Sequence, residues 1–146
     1  MRRIMLIINE DDLQTIFANC SREYPNEACG ILAGSPGVVE QVYAMTNARP
    51  GLASYEMDPE EQFRVMKAIR RSGLGIVGIY HSHPSGPAYP SGIDVERAYW
   101  PGTLFPNFPD AAYMIVSLAH PSNPAARTFA ISDGQISEVE LIVRQA

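Results

Sequence analysis

Cysteine is scarce in this sequence, with only Cys20 and Cys29 among 146 residues. Two cysteines cannot build the framework of several disulfides that stabilises many small secreted domains, and neither belongs to a Cys-x-x-Cys pair. We therefore expect both side chains to be reduced and buried, as small apolar groups. A Cys20–Cys29 disulfide is the alternative, although reduced thiols suit a cytosolic protein better.

Positive charge and long apolar runs are lacking too. The 11 Lys and Arg residues stand against 16 Asp and Glu residues, so the net charge is −5 and no basic stripe for nucleic acid is indicated. No apolar run approaches the roughly 20 residues that a membrane-spanning helix needs. Residues 1–8 imitate a signal peptide, but polar residues 9–12 follow at once without a small-residue cleavage site. The sequence predicts a cytoplasmic protein with no membrane or nucleic-acid partner.

The overall composition is that of an ordinary globular protein. Apolar residues make up 46% and charged residues 18% of the chain. A chain of 146 residues can bury a substantial core without disulfides. Because no internal repeat or low-complexity segment divides the sequence, we expect one domain over residues 1–146.

Seven short apolar or alternating segments predict β-strands. The Asp133-Gly134 pair between the last two segments predicts a tight hairpin turn. Residues 47–55 and 81–92 are predicted loops because they are rich in Pro, Gly and Ser. The predicted strands cover residues 5–8, 28–33, 38–45, 74–80, 113–118, 127–131 and 136–143.

Three helices are predicted between these strands. The first opens with acidic residues 10–12 and ends before Pro25, and the second is capped by Asp58. A third begins after a capping-box pattern and runs from Gly92 to about Tyr99. This order of elements indicates an α/β domain with a mixed sheet and helices packed on it.

Two of the three histidines follow a strongly apolar predicted strand, as His81-Ser82-His83. At the end of a strand, residues i and i+2 point to the same side of the sheet, so both imidazoles face one place. Asp94 follows across a loop, near the start of the third predicted helix, which would hold its carboxylate rigidly. Two imidazoles and one carboxylate form a common catalytic zinc set, which leaves the fourth tetrahedral position open for water. We predict that His81, His83 and Asp94 bind zinc.

Each of these residues also has a structural interpretation. His81 and His83 could be ordinary strand-end histidines, and Asp94 could be a first-turn carboxylate that stabilises its helix. Ser91 could be a plain N-cap. A structural zinc site is a further alternative. Only three protein ligands are apparent, however, and neither cysteine lies in the motif, so an open catalytic site fits better.

A hydrolytic metal site also needs a proton carrier that is not a ligand, and Glu27 is the natural candidate. It stands in the segment Asn26-Glu27-Ala28-Cys29-Gly30, just before a predicted strand. A carboxylate beside the metal could take a proton from water and later pass one to the leaving amine. Ser91 could donate a hydrogen bond to the oxyanion of a tetrahedral intermediate. Without a family context, Glu27 would be only an exposed loop acid.

The pattern His81-x-His83-Pro84, six residues, Ser91, two residues and Asp94, with Glu27 upstream, resembles the signature of the JAMM/MPN-plus metalloproteases. The likeness covers most of the chain, from the Glu27 segment to the final strands. It implies that His81, His83 and Asp94 bind zinc, that Glu27 is the general acid and base, and that Ser91 stabilises the oxyanion. It also implies a cytidine-deaminase-like fold, in which helices wrap a mixed β-sheet.

Within this family, the short length and the stretch Ala88-Tyr89-Pro90-Ser91 resemble small bacterial members. The resemblance implies a ubiquitin-like sulfur-carrier protein as partner and substrate. The reaction would be zinc-dependent hydrolysis after the carrier's C-terminal Gly-Gly, which either releases a cysteine or trims later residues. A deubiquitinase-type isopeptidase is one alternative, although the chain is short for the insertions such enzymes use. A non-catalytic MPN scaffold is the other, although such modules typically lack the ligands retained here.

Two features lie outside the motif. His120 precedes Pro121 in a loop, and we predict that it is solvated. The aromatic and proline-rich residues 100–109 have three interpretations: core filling, a loop anchor, or the border of a groove for an extended peptide tail.

Overall fold

The computed structural model describes residues 5–51 and 54–145, and its elements confirm the predicted α/β class. Residues 1–4 of the signal-like start and residues 52–53 of a predicted loop lie outside this description. The helices are α1 (Glu10–Glu23), α2 (Pro59–Arg71) and α3 (Gly92–Arg97). The strands are β1 (Met5–Asn9), β2 (Cys29–Ser35), β3 (Val38–Met45), β4 (Gly75–His83), β5 (Ala112–Ser117), β6 (Ala125–Ser132) and β7 (Gln135–Arg144).

The seven strands form one mixed sheet that closes on itself in the order β1-β3-β2-β4-β5-β6-β7. β1 runs parallel to β3 and β7, and β4 runs parallel to β5, whereas the other neighbours are antiparallel. The mixed sheet is as predicted, but its closure was not, because no local pattern marks the pairing of the first strand with the last. The cytidine-deaminase-like description, which rests on the resemblance, stays a prediction.

Different helices cover the two sides of the sheet. Leu13 and Ile16 of α1 pack in one buried cluster together with Tyr80 of β4. Ile69 of α2 packs in a second cluster together with Ile79 of β4. Successive strand residues point to opposite faces, so Tyr80 and Ile79 serve different cores. Within residues 5–51 and 54–145, no helix is long and apolar enough to cross a membrane.

The turns and caps follow the sequence closely. The Asn9 and Asp58 side chains accept hydrogen bonds from the third residue of α1 and of α2, as N-caps do. Asp133 and Gly134 adopt φ angles of 52° and 74°, which suits the predicted tight hairpin. Helix α3 ends at Arg97 instead of Tyr99, because Ala98 is its C-cap and Tyr99 forms an isolated bridge with Pro106.

The segment around the two cysteines is shaped for close packing. Both thiols are free and buried, as predicted, and the alternative disulfide is not formed. Burial raises the pKa of each to about 12, so neither is a reactive thiolate at neutral pH. Beside Cys29, a Cβ at Gly30 would lie 2.0 Å from the Tyr80 ring, so only glycine fits there.

Candidate metal centre and active site

Strand β4 carries the histidine pair. It continues to His83 instead of ending at Tyr80, because its last residues pair with β5 up to Ser117. The predicted loop therefore begins later, at Pro84. His81 and His83 share one face of the strand, and their Nε2 atoms are 3.2 Å apart.

The loop after β4 is fastened to the sheet and returns the chain to the histidines. Nδ1 of His83 lies 2.8 Å from the Pro87 carbonyl oxygen, and the Ser117 hydroxyl donates to the Gly86 carbonyl at 2.7 Å. Ala88 is buried against β5 and β6. These contacts place the start of α3 beside the end of β4.

The start of α3 fixes the orientation of Asp94. Ser91 Oγ accepts from the Asp94 N–H at 3.1 Å, and Asp94 Oδ2 accepts from the Ser91 N–H at 2.9 Å, which forms the predicted capping box. The same carboxylate reaches both imidazoles: Oδ1 lies 3.1 Å from His81 Nε2, and Oδ2 lies 3.0 Å from His83 Nε2. The Asp94 side chain therefore both caps helix α3 and contacts the two histidines.

The cluster has the donor set and spacing that a divalent metal ion needs. In a tetrahedral site with bonds of about 2.0–2.1 Å, ligand atoms are about 3.3–3.4 Å apart. The observed separations of 3.0–3.2 Å between the two Nε2 atoms and the carboxylate are close to that value. The Pro87 carbonyl can accept the Nδ1–H of His83, which leaves Nε2 with a free lone pair. The residues His81, His83 and Asp94 therefore fit a metal site.

Asp94 and His83 each stabilise the charged form of the other. Burial opposes the ionisation of Asp94, yet hydrogen bonds from His81, His83 and the Ser91 amide hold the pKa of its carboxyl well below the usual range. Burial also opposes the charged form of His83, but the Asp94 and Pro87 hydrogen bonds raise its pKa above the ordinary value. A proton therefore competes with a metal for His83, and metal affinity should fall as the pH is lowered.

Glu27 lies just before β2, the strand that pairs with the histidine-bearing strand β4. The antiparallel register places Cys29 of β2 opposite His81 of β4. Glu27 stands two residues before Cys29, and the charges of His83 and Asp94 act on its carboxyl group, so it lies near the cluster. Glu27 is 1% exposed, and its Oε1 has no hydrogen-bond partner among residues 5–51 and 54–145. A buried carboxylate with a free oxygen can exchange protons with a molecule bound at the cluster.

Backbone contacts hold Glu27 in place from three directions. Its N–H donates to the Gly51 carbonyl at 2.8 Å, and its carbonyl accepts from Asn47 Nδ2 at 2.9 Å. The next residue, Ala28, donates its N–H to Ser82 Oγ at 2.8 Å. Since Ser82 stands between the two histidines, one residue ties the Glu27 segment to the metal-binding strand.

A comparison with known protein families shows which family the chain belongs to. The family model Prok-JAB, described as prokaryotic homologs of the JAB domain, matches residues 9–131. The chain belongs to this JAB-domain family. The matched residues include Glu27 and the whole segment from His81 to Asp94, and the resemblance to the JAMM/MPN-plus proteases is confirmed.

Individual relatives match this JAB-domain protein over much of its length. The CysO-cysteine peptidase of Mycobacterium tuberculosis is 37% identical over 136 residues, which are 92% of this chain and 88% of the relative. A probable TtuB-protein conjugate cleaving protease of Thermus thermophilus is 39% identical over 98 residues, 66% of each chain. The solution structure of protein DSY2949 from Desulfitobacterium hafniense has a TM-score of 0.83 at 32% identity and covers 97% of this chain and 94% of its own.

Three further site residues of this JAB-domain protein were not predicted from the sequence. The Tyr55 ring stacks on the His81 ring with centroids 4.9 Å apart. Arg97 Nη1 donates to the Tyr55 carbonyl oxygen at 2.7 Å. Pro87 orients His83, as described above. The one available signal was the i, i+3 spacing of Asp94 and Arg97, which puts both on the same side of α3.

The raised pKa of Glu27 predicts how the stability of the metal-free protein depends on pH. Burial, together with the Asp94 charge and against the charges of His83 and Arg97, raises the pKa of Glu27 from 4.5 to about 7. The folded chain then binds this proton more tightly than the unfolded chain, so the contribution of Glu27 to stability falls as the pH rises from about 4.5 to about 7.

Glu27→Gln should remove that loss of stability. Above about pH 7.5, metal-free Glu27→Gln should exceed the wild type by on the order of 1–3 kcal/mol in free energy of unfolding, with little difference near pH 4. Urea unfolding at both pH values measures the effect. Glu60→Gln, at an exposed position of α2, is the matched control. If the free energies of unfolding of the wild type and Glu27→Gln differed by the same amount at both pH values, the raised pKa would be contradicted.

His120 and the loop of residues 100–109 supply no ligand to the cluster, although Phe108 lines the small cavity that His81 and Asp94 border. His120 is exposed, as predicted. Trp100, Leu104 and Phe105 are 62%, 61% and 73% exposed, so they do not fill the core. Leu104 and Phe108 line a cavity of about 470 Å³. The loop therefore borders a groove, and its binding of an extended tail stays a prediction.

Truncation of the exposed loop aromatics tests that prediction. Trp100→Ala and Phe105→Ala should each raise KM for a substrate with a protein tail several-fold, by roughly 1 kcal/mol of lost apolar contact, with kcat nearly unchanged. Steady-state kinetics on the tail-bearing substrate measure both constants. Phe63→Ala is the matched control, because Phe63 is 64% exposed on α2. An unchanged KM in both loop variants would remove the loop from the binding surface.

Proposed function

We propose that this protein is a zinc-dependent peptidase that hydrolyses the amide bond after the C-terminal Gly-Gly of a ubiquitin-like sulfur-carrier protein. The products would be the carrier protein, now ending in Gly-Gly, and either cysteine or a short C-terminal peptide. One observation carries the proposal: His81, His83 and Asp94 converge within 3.0–3.2 Å, with buried Glu27 near the cluster but outside it. That combination supports hydrolysis, because it separates the metal ligands from the proton carrier.

The metal would be held by His81 Nε2, His83 Nε2 and the Asp94 carboxylate. A zinc ion bound there supplies Lewis acidity, which polarises a carbonyl group and acidifies water. The three side chains leave one tetrahedral corner to the reactants. The capping box and the Pro87 carbonyl hold Asp94 and His83 in this arrangement.

Glu27 and Ser91 would carry out the rest of the chemistry. Glu27 takes a proton from the attacking water on its free Oε1 and returns one to the leaving amine, so the carboxylate is restored after each turnover. The Ser91 oxygen accepts from the Asp94 N–H, which leaves its hydroxyl hydrogen to donate to the developing oxyanion. Ser91 can therefore cap α3 through its oxygen and donate to the oxyanion through its hydrogen.

The relatives support the proposed substrate class. The name of the mycobacterial relative describes a peptidase of a CysO-cysteine conjugate, and that of the Thermus relative describes cleavage of TtuB-protein conjugates. The first name favours release of a cysteine, and the second favours cleavage of a protein conjugate as the alternative activity. A non-catalytic scaffold is disfavoured, because the metal-binding cluster is intact. We propose a single catalytic domain over residues 1–146, and its two free thiols suit the cytoplasm.

Mass spectrometry of a defined conjugate tests the proposal. The zinc-loaded protein is incubated with a sulfur-carrier protein that ends in Gly-Gly-Cys, and with the same carrier joined through Gly-Gly to a lysine side chain. Loss of the mass of one cysteine residue from the carrier, with release of free cysteine, supports the proposed reaction. Cleavage of the lysine conjugate alone would favour the isopeptidase, and cleavage of neither would contradict a carrier-directed peptidase.

A further inference from the structure

A small cavity adjoins the metal-binding cluster. His81 and Asp94 form part of its wall, and apolar side chains such as Ile93, Tyr113 and Ile115 form much of the remainder. Its volume is about 30 Å³. A single water needs about 10–15 Å³, so the cavity has room for a group of two or three heavy atoms. It is large enough for a small side chain beside the cluster and too small for an aromatic one.

Arg97 brings a positive charge to this cavity. Among the described residues that line the cavity, it is the one arginine or lysine. Its Nη1 donates to the Tyr55 carbonyl oxygen at 2.7 Å, which fixes the guanidinium and leaves four of its five N–H groups for another partner. The ion pairs Arg49–Glu56, His81–Asp94, His83–Asp94 and Arg127–Glu138 do not involve it. The Arg97 residue is exposed, so a ligand can reach it from solvent.

Arg97 lies close to the cluster along α3. Asp94 and Arg97 are i and i+3 on this helix, and Cβ atoms at that spacing are about 5–6 Å apart. Both residues line the small cavity together with His81. A carboxylate held by Arg97 therefore lies beside an amide bond placed at the cluster. The α-carboxylate of a single leaving residue is the carboxylate nearest to that amide bond.

We propose that Arg97 and the small cavity form the subsite for the leaving residue, which takes one C-terminal amino acid of small side chain and binds its free α-carboxylate. The proposal rests on the proposed function and narrows its substrates. Water adds its hydroxyl group to the Gly carbonyl carbon and a proton to the leaving nitrogen, and the bound carboxylate is unchanged. A lysine joined through its side chain carries its α-carboxyl group at the far end of a four-carbon chain, so such conjugates are disfavoured.

Paired substrates isolate the recognition of the carboxylate. One carrier protein ends in Gly-Gly-Cys with a free carboxylate, and the other ends in Gly-Gly-Cys carboxamide. The zinc-loaded wild type should prefer the carboxylate by about 10- to 100-fold in kcat/KM, the range for a hydrogen bond between charged groups. In Arg97→Gln that ratio should fall close to one, and Arg97→Lys should keep part of it. Arg64→Gln, at an exposed position of α2, should keep the wild-type ratio.

The ratio separates recognition from a structural role. If Arg97 only tethers Tyr55, Arg97→Gln will slow both substrates equally, and the unchanged ratio would overturn the inference. A wild-type ratio near one would overturn it while leaving the proposed function intact. Failure to hydrolyse either substrate would overturn both. A third carrier ending in Gly-Gly-Trp tests the cavity: we expect slower release than for cysteine, and equal rates would contradict a small subsite.

Discussion

Glu27→Gln should bind zinc nearly as well as the wild type but hydrolyse the Gly-Gly-Cys conjugate at least about 10²-fold more slowly. Glutamine keeps the size and the buried position of the glutamate, but its amide cannot accept and return a proton. Glu27 precedes β2 and does not belong to the ligand group of His81, His83 and Asp94, so the metal should stay bound. Zinc content by elemental analysis, combined with turnover measured by mass spectrometry, tests both halves of the expectation.

The control for this variant is the same substitution at Glu60, which is exposed on α2. Glu60→Gln should change neither zinc content nor turnover. Full turnover by Glu27→Gln would show that Glu27 is not the proton carrier. Loss of zinc together with turnover would instead make Glu27 a metal ligand, which the geometry does not support.

Removal of the metal should abolish hydrolysis by the wild type, and added zinc should restore it. Zinc should also stabilise the fold, because the three ligands converge only in the folded chain. At a free concentration 100-fold above its Kd, it should raise the free energy of unfolding by about 2.7 kcal/mol. Urea unfolding with and without zinc measures this gain.

Asp94→Asn separates the metal from the helix cap. The amide oxygen can still accept from the Ser91 N–H and hold α3, but the ligand charge is lost. We expect the variant to fold, to lose most of the stabilisation by zinc and to be inactive. Asp11→Asn, exposed on α1, is the matched control and should respond to zinc like the wild type. An equal gain from zinc in Asp94→Asn and the wild type would exclude Asp94 as a ligand.

The parts of this fold that sequence reasoning predicts well are those set by neighbouring residues. The strand Val38–Met45 has the predicted bounds, the N-cap Asp58 starts α2, and the capping box of Ser91 and Asp94 starts α3. The ligand triad belongs to the same class, because His81, His83 and Asp94 lie within one short segment. Strand alternation and helix capping are enough to bring such residues together.

The parts that were missed depend on contacts between distant segments. Closure of the sheet needs β1 to pair with β7, and no pattern in either strand specifies its partner. The link from Arg97 to Tyr55 spans 42 residues, and the link from Ala28 to Ser82, which ties Glu27 to the site, spans 54. For this reason the role of Glu27 came mainly from the family resemblance, whereas the ligands could be predicted from the motif.

X-ray absorption at the zinc edge tests the metal centre most directly. Protein loaded with one equivalent of zinc should show only nitrogen and oxygen neighbours at about 2.0–2.1 Å, with the imidazole scattering of two histidines. The imidazole contribution should fall by half in His83→Ala. Sulfur at about 2.3 Å, or an unchanged spectrum in that variant, would mean that the zinc lies elsewhere and that His81, His83 and Asp94 are not its site.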